Sequence, residues 1–278
     1  MGLSREEDPE VRRILGIHFF AGDARHAVER MARGGLLVVP AAPALKDIAS
    51  NPPYREALIS ADLAITDSAF MVLVWNWLQG DSLKRLSGLK YLRQFLSMPE
   101  TREAGNTLWI MAGQASARKN LAWLASRGVD VPDHCVYVAP MYGADIEDAR
   151  LLELLRSHRF KHIVVTLGGG VQERLGLYIK RNVDYCPAIH CIGAAIAFLS
   201  GDQVRIPGWA DSLYLGWLFR CASAPGRYIP RYWSAFSLVP LLWRYRDGLP
   251  PLTGAGTSMV PGAASSHITD LNSIEEDS

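Results

Sequence analysis

Seven short apolar runs, each followed by a longer segment of helical periodicity, constrain this chain more than any other feature in it. The runs are GIHFF (16–20), GLLVV (35–39), LAIT (63–66), TLWIMA (107–112), HCVYVA (134–139), HIVVTL (162–167) and AIHCI (188–192). Helices are expected over 23–33, 53–60, 69–79, 88–98, 115–127, 146–158, 171–182 and 193–200. Strands alternating with helices build βαβ units and parallel pairing. The chain therefore reads as α/β, a Rossmann-like doubly wound, largely parallel sheet. No Pro/Gly/Ser linker or internal repeat divides it, so residues 15–204 form one body.

Composition agrees and excludes other classes. Of 278 residues, 49% are hydrophobic and 21% charged, which is globular rather than disordered, collagen-like or coiled-coil usage. Cys135, Cys186, Cys191 and Cys221 show no C-x-x-C pairing and no disulfide density, which fits a reducing compartment. No apolar run approaches the ~20 residues of a spanning helix, and the start MGLSREEDPEVRR is too charged for a signal peptide. A cytoplasmic location is expected.

Charge is distributed unevenly. Residues 1–14 hold three basic and four acidic side chains and 249–278 hold none and four, leaving 26 and 20 of the chain's 29 and 28 in between, a net +6. Four of those six units fall in 205–248, where Arg205, Arg220, Arg227, Arg231, Arg244 and Arg246 face only Asp211 and Asp247. The same segment holds Trp209, Trp217, Trp233 and Trp243, half of the chain's eight tryptophans. Pro207, Pro225 and Pro230 punctuate it, so it reads as a short helical appendage. Packed aromatics with solvated arginines would explain it, and so would an interfacial membrane segment; spaced arginines also suit a diphosphate. The surplus is too small, and motifs too few, for nucleic acid. Residues 1–14 are expected to be flexible, and 249–278, dominated by small residues and Pro, disordered.

In open α/β sheets ligands sit beyond the carboxyl ends of the strands. Pro40-Ala41-Ala42-Pro43, Asp67-Ser68 and Gly168-Gly169-Gly170-Val171-Gln172-Glu173 occupy those positions. Asp67 suits a helix N-cap or a general base at the mouth of a cleft. Ser68 lacks a G-x-S-x-G elbow and a base. The glycine triplet lets backbone N–H groups approach an anion at a helix N-terminus, yet it is neither a dinucleotide fingerprint nor a P-loop. Gln172 offers hydrogen bonds to a polar ligand, and Glu173 complements the helix dipole. No D-x-D follows a strand, no H-E-x-x-H occurs and the seven histidines are dispersed, so no metal site is expected. His134, His162 and His190 read as core or strand-edge residues.

Taken together, these residues resemble the WecG/TagA/CpsF family of bacterial glycosyltransferases. The likeness runs from about Leu36 to Trp233: the Pro-containing turn after LLVV, YREALISADLAITDSAFMVLVW, Arg85-Leu86-Ser87-Gly88, VVTLGGGVQER in place of G-x-P-x-Q-E, IGAAIAFLSGDQVRIPGWADSLYLGWLFR and PGRYIPRYW. The resemblance implies an inverting transferase that needs no metal or other cofactor. It would move a sugar from a UDP-sugar to a polyprenyl-diphosphate-linked sugar at the cytoplasmic membrane surface, with copies associating as a homo-oligomer through the body. It implies Asp67 as the catalytic residue, Gln172 as substrate-binding within the Gly168-Gly169-Gly170 turn, and Arg220, Arg227 and Arg231 as arginines closing over the diphosphate. It links the appendage to membrane targeting.

The chain departs from the family pattern where T-x-N reads Pro40-Ala41-Ala42, and where Ser68, Gly170 and Gly216 replace a Gly, a Pro and a Glu. The lost polar pair motivates an alternative, a non-catalytic nucleotide-sugar or lipid-carrier binding protein of the same fold. A nicotinamide oxidoreductase would rest on fold class alone, which does not license function.

Overall fold

The computed structural model describes residues 10–201 and 216–253. Eight strands form one sheet: β1 Val11–Ile14, β2 Ile17–Phe20, β3 Gly35–Val38, β4 Leu63–Ile65, β5 Thr107–Met111, β6 Val136–Val138, β7 His162–Val165 and β8 Ala188–Cys191. Their order is β1-β2-β4-β3-β8-β7-β5-β6. Every neighbouring pair is parallel except β1 and β2. The mixed α/β reading with a largely parallel sheet holds, and each of the seven expected strands is present.

β1 is the strand that sequence patterning does not reveal. Its residues VRRI carry two arginines, and it lies at the sheet edge, where a strand needs one apolar face only. Ile14 pairs with Ile17 across the two-residue turn Leu15-Gly16, both at positive φ, 50° and 76°. That is the twist-matched turn of a tight hairpin. The body thus begins before residue 15, inside the stretch expected to be flexible.

The helices are α1 Ala24–Met31, α2 Ala42–Leu45, α3 Pro52–Ile59, α4 Ala69–Gln79, α5 Gly88–Ser97, α6 Gln114–Ser126, α7 Ala149–His158, α8 Val171–Asn182, α9 Ala195–Ser200, α10 Gly216–Ser223, α11 Pro225–Ser234 and α12 Leu238–Tyr245. Side-chain oxygens of Asp23, Asn51, Ser68, Ser87 and Asp148 accept from the first turns of α1, α3, α4, α5 and α7, satisfying amides that a helix start leaves unpaired.

Successive strand residues point to opposite faces, and each face has its own apolar layer. Leu36, Val38, Leu108, Ile110, Ile163 and Val165 pack with α3, α4, α7, α8 and α12. Leu37, Val39, Trp109, Met111 and Val164 pack with α1, α5, α6 and α9. Strands buried on both sides read as continuous apolar runs, which is why the sequence marks them so clearly.

The last helix of the aromatic-rich segment is tied to this body. Leu238 and Leu242 of α12 are fully buried in the first layer. The chain that follows closes on the hairpin, with Leu15 N–H donating to Arg246 O at 2.7 Å and Gly16 N–H to Asp247 O at 2.9 Å.

α8 approaches the sheet at Gly176, where a Cβ would lie 2.6 Å from both Cys191 Sγ and Leu36 Cδ1. Those neighbours are core atoms of β8 and β3, so the added carbon must push helix and sheet apart. Gly176→Ala is expected to lower stability by about 1–3 kcal/mol in urea unfolding. An unchanged midpoint would mean that α8 packs less closely than described.

Candidate active site

The site is built where β4, β3, β8 and β7 end side by side. After β3 the chain passes to the first layer through Leu45, Ile48 and Tyr54, whereas after β8 it passes to the second through Ala195 and Ile196. Adjacent strands whose connections leave to opposite faces open a crevice at their carboxyl ends.

Asp67 stands at the end of β4. The cap of α4 is its neighbour Ser68, whose hydroxyl oxygen accepts from Met71 N–H at 3.2 Å, so Asp67 has no capping role. Its Oδ1 accepts from Gly88 N–H at 3.0 Å. Gly88 is the first residue of α5, where the helix dipole favours negative charge. Arg85 donates from Nε to the Asp67 carbonyl at 2.6 Å and holds Nη2 3.7 Å from Oδ1. Thr66 pins the 84–86 loop beside it, accepting from Leu86 N–H at 2.9 Å and donating to Lys84 O at 2.8 Å. Among the described residues no group donates to Oδ2. The side chain is 31% exposed, so one carboxylate oxygen is anchored and the other is left for a ligand.

The anchoring helix stands over the crevice. A Cβ on Gly88 would lie 3.4 Å from Ile192 O and 3.5 Å from Val39 Cγ1, which places the start of α5 against the ends of β8 and β3. Pro40-Ala41-Ala42 continues from β3 there, with Pro40 and Ala42 buried.

Across the crevice β7 leads through Gly168-Gly169-Gly170 into α8. Gly168 and Gly169 are exposed, and their N–H groups donate to nothing among the described residues. A Cβ on Gly168 or Gly170 would meet open space. Gly170 has φ +90° and precedes α8, a conformation that glycine adopts without strain. Two free N–H groups at a helix N-terminus make an anion cradle.

Behind that turn lies a chain of buried polar groups. Glu173 Oε2 accepts from Gly170 N–H at 2.7 Å, and its Oε1 accepts from Gln172 Nε2 at 3.0 Å. Gln172 Oε1 accepts from Gly193 N–H at 2.6 Å, joining the turns after β7 and β8. Burial pushes the Glu173 carboxyl up to about 7, against the lowering effect of its donors and of Arg174. Arg174 Nε donates to Gly170 O at 2.9 Å and its guanidinium reaches Gly143 O at 3.1 Å. Arg174 also lines a groove of about 380 Å³ with Asp47, Asn51 and Ala144.

Sequence patterning located Asp67 and the glycine turn at strand ends, and the sheet order sets them on the same edge with β3 and β8 between them. Arg85 and Gly88 entered that patterning only through the family likeness, with no role, and it missed the Gly193 amide and the burial of Glu173, which reads there as a complement to the helix dipole. Gln172 is 3% exposed, with its amide bonded at both ends within the turns. Arg220 lies in α10 and Arg227 and Arg231 in α11; their side chains lie outside the described residues. α11 packs beside α2, and Ala44 of α2 lies 3.7 Å from a Cβ on Gly169, so the arginine-bearing helix and the glycine turn flank the same element.

His162 and His190 are buried, linked at 3.2 Å, with Tyr91 Oη 2.8 Å from His190 Nδ1. Burial lowers both imidazoles, His162 to about 4, as befits core residues. His134 is exposed and stacks on His158 beside β6. Among the described residues no group of three His, Cys, Asp or Glu side chains could hold a metal ion.

Glu173 supplies a pH test. Between its ordinary value of 4.5 and about 7 the folded chain holds a proton that the unfolded chain releases, so this group's contribution to stability is complete below 4.5 and falls as pH rises through that window. Glutamine cannot titrate. The cost of Glu173→Gln in urea unfolding is therefore expected to shrink by roughly 1–3 kcal/mol between about pH 5 and about pH 8. A cost independent of pH would contradict the buried carboxyl.

A search of curated protein sequences returned no match. The family model described as Glycosyl transferase WecG/TagA/CpsF family matches residues 12–250, from the first strand through α12 and the few residues that follow it. The match spans the crevice, the Asp67 turn, the glycine turn and the arginine-bearing helices together, and the chain belongs to the WecG/TagA/CpsF glycosyltransferase family.

Proposed function

We propose that this chain is an inverting, metal-independent glycosyltransferase that moves a hexosyl or N-acetylhexosaminyl group from a UDP-sugar to a polyprenyl-diphosphate-linked sugar. The observation that carries this reading is the Asp67 carboxylate, held by Oδ1 on the start of α5 with Oδ2 unpartnered among the described residues. An acceptor hydroxyl must lose its proton as its oxygen attacks the anomeric carbon from the face opposite the leaving group. Oδ2 takes that proton, the new glycosidic bond forms, and the bond to the diphosphate breaks. UDP then departs with the electron pair and an added negative charge. The Gly168 and Gly169 N–H groups, the start of α8 and the arginines at 220, 227 and 231 supply the stabilisation that the leaving group needs. Gly170 and Gln172 hold the cradle in shape.

The setting follows from the same chemistry. A polyprenyl carrier lies in a bilayer, and no described helix is long and apolar enough to cross one. The protein works as a homo-oligomer lying on the inner face of the cytoplasmic membrane through its 205–248 segment, in cell-surface polysaccharide synthesis. The buried apolar Pro40 and Ala42 favour one second reading, a binding protein for the nucleotide-sugar or lipid carrier without turnover.

Asp67→Asn separates the two. Its Oδ1 still accepts from Gly88 N–H, so the thermal midpoint and UDP affinity are expected to stay at wild-type values while the transfer rate falls about 10²–10⁴-fold. Full transfer by the variant would remove Asp67 as the base; no turnover by the wild type on any lipid-linked acceptor would support the binding protein. UDP affinity is expected to be the same with and without magnesium, as calorimetric titration would show.

A further inference from the structure

α4 has the wrong surface for a helix that faces water. Its residues AFMVLVWNWLQ include no charged side chain, and although Met71, Val72 and Trp75 are buried against the sheet, Leu73 is 54% and Trp77 75% exposed. Phe70, Leu73 and Trp77 lie at i, i+3 and i+7, one stripe along the helix. A body helix that is apolar all round is ordinarily covered on every side.

The stripe continues into the appendage. The Phe70 ring meets Phe236 edge-on at 5.2 Å, and Phe236 lies 5.7 Å from Trp233, which is 75% exposed. α12, bearing the exposed Trp243, packs on α4. Charge identifies what this surface meets. Residues 212–246 contain five arginines and no acidic residue, with Arg244 and Arg246 exposed. Tryptophan and phenylalanine flanked by arginine, without a spanning helix, match the interfacial layer of an anionic bilayer. A second copy fits poorly, because a two-fold interface sets the same patch against itself and would bring its like-charged arginines together.

We infer that the exposed face of α4, centred on Leu73 and Trp77, is the body's half of a docking surface for an anionic lipid bilayer, continuous with Trp233, Phe236 and Trp243 of the appendage. This deepens the membrane association proposed above and rests on it. It also gives α4 a second task. The helix begins at Ala69, capped by Ser68 directly after Asp67, and Trp77 lies about 12 Å along the axis from that start at 1.5 Å per residue. Laying α4 on the bilayer brings the catalytic carboxylate to the surface where a lipid-linked diphosphate ends.

The test uses the full chain and the variant Leu73→Gln/Trp77→Gln, with phosphatidylcholine vesicles lacking or containing phosphatidylglycerol. The wild type is expected to co-sediment with the anionic vesicles. The variant is expected to bind them at least about tenfold more weakly, the scale of withdrawing two apolar side chains from an interface, with UDP affinity and thermal midpoint unchanged. Transfer to a short-chain, water-soluble acceptor is expected to stay at the wild-type rate while transfer to a vesicle-embedded one falls. Equal vesicle binding by the two proteins overturns the inference, as does a variant that sediments in solution as a smaller species than the wild type, which would make the face a subunit contact. If neither protein binds uridine nucleotides but the variant still loses the vesicles, the docking face stands and the transferase reading falls. Should the variant not fold, hydrogen exchange of the wild type decides: slowing across 69–79 on adding anionic vesicles supports the surface, and no change there refutes it.

Discussion

β3 and β8 lie side by side at the centre of the sheet, buried on both faces, and the chain leaves them in opposite directions. Everything that makes the candidate site depends on that arrangement. Covered strands leave no room for polar ligand groups along their length, so such groups collect at the carboxyl ends. There Gly88 brings the start of α5 against Val39 and Ile192, and Gln172 ties the turn after β7 to that after β8. Two helix N-termini, those of α5 and α8, meet one crevice. One holds a carboxylate, and the other presents two N–H groups that are unpaired among the described residues.

These contrasting roles follow from elementary electrostatics. Both helix starts favour negative charge. At α5 the charge is supplied from within, by Asp67, whose Oδ1 is anchored on Gly88 N–H beside Arg85 and whose Oδ2 accepts from nothing among the described residues. At α8 the internal carboxylate is Glu173, withdrawn behind the turn, fully buried and pushed up to about 7. The outer N–H groups of Gly168 and Gly169 donate to nothing among the described residues and are thereby left for the external anion of the proposed reaction. The metal-independent transfer proposed above needs this asymmetry, a base on one side and an anion cradle on the other.

Much of this was legible in the sequence, for identifiable reasons. Doubly buried strands such as HIVVTL and AIHCI are apolar throughout and stand out, and strand ends follow from them, which located Asp67 and the glycine turn. β1 was not legible because an edge strand of VRRI carries no such signal. The capping assignment between Asp67 and Ser68 depended on a shift of one residue that composition cannot resolve; the side-chain bond to Met71 resolves it. Glu173 looked like any acidic residue in a first helical turn, and only tertiary burial distinguishes it. Arg85, Gly88 and Gly193 sit far from Asp67 and Gln172 in sequence, so nothing local announces their partnership. The apolar outer face of α4 was hidden in plain view, since AFMVLVWNW reads as core until the exposed side is known.

The central claim is that a nucleotide diphosphate occupies the crevice between Asp67 and the glycine turn. The most direct measurement is a crystal structure of the full chain with UDP. The account predicts diphosphate oxygens within hydrogen-bond distance, about 2.7–3.2 Å, of the Gly168 and Gly169 N–H groups, with the Asp67 carboxylate facing the terminal phosphate across space for a sugar. A diphosphate bound elsewhere, with those amides still unpaired, would contradict it.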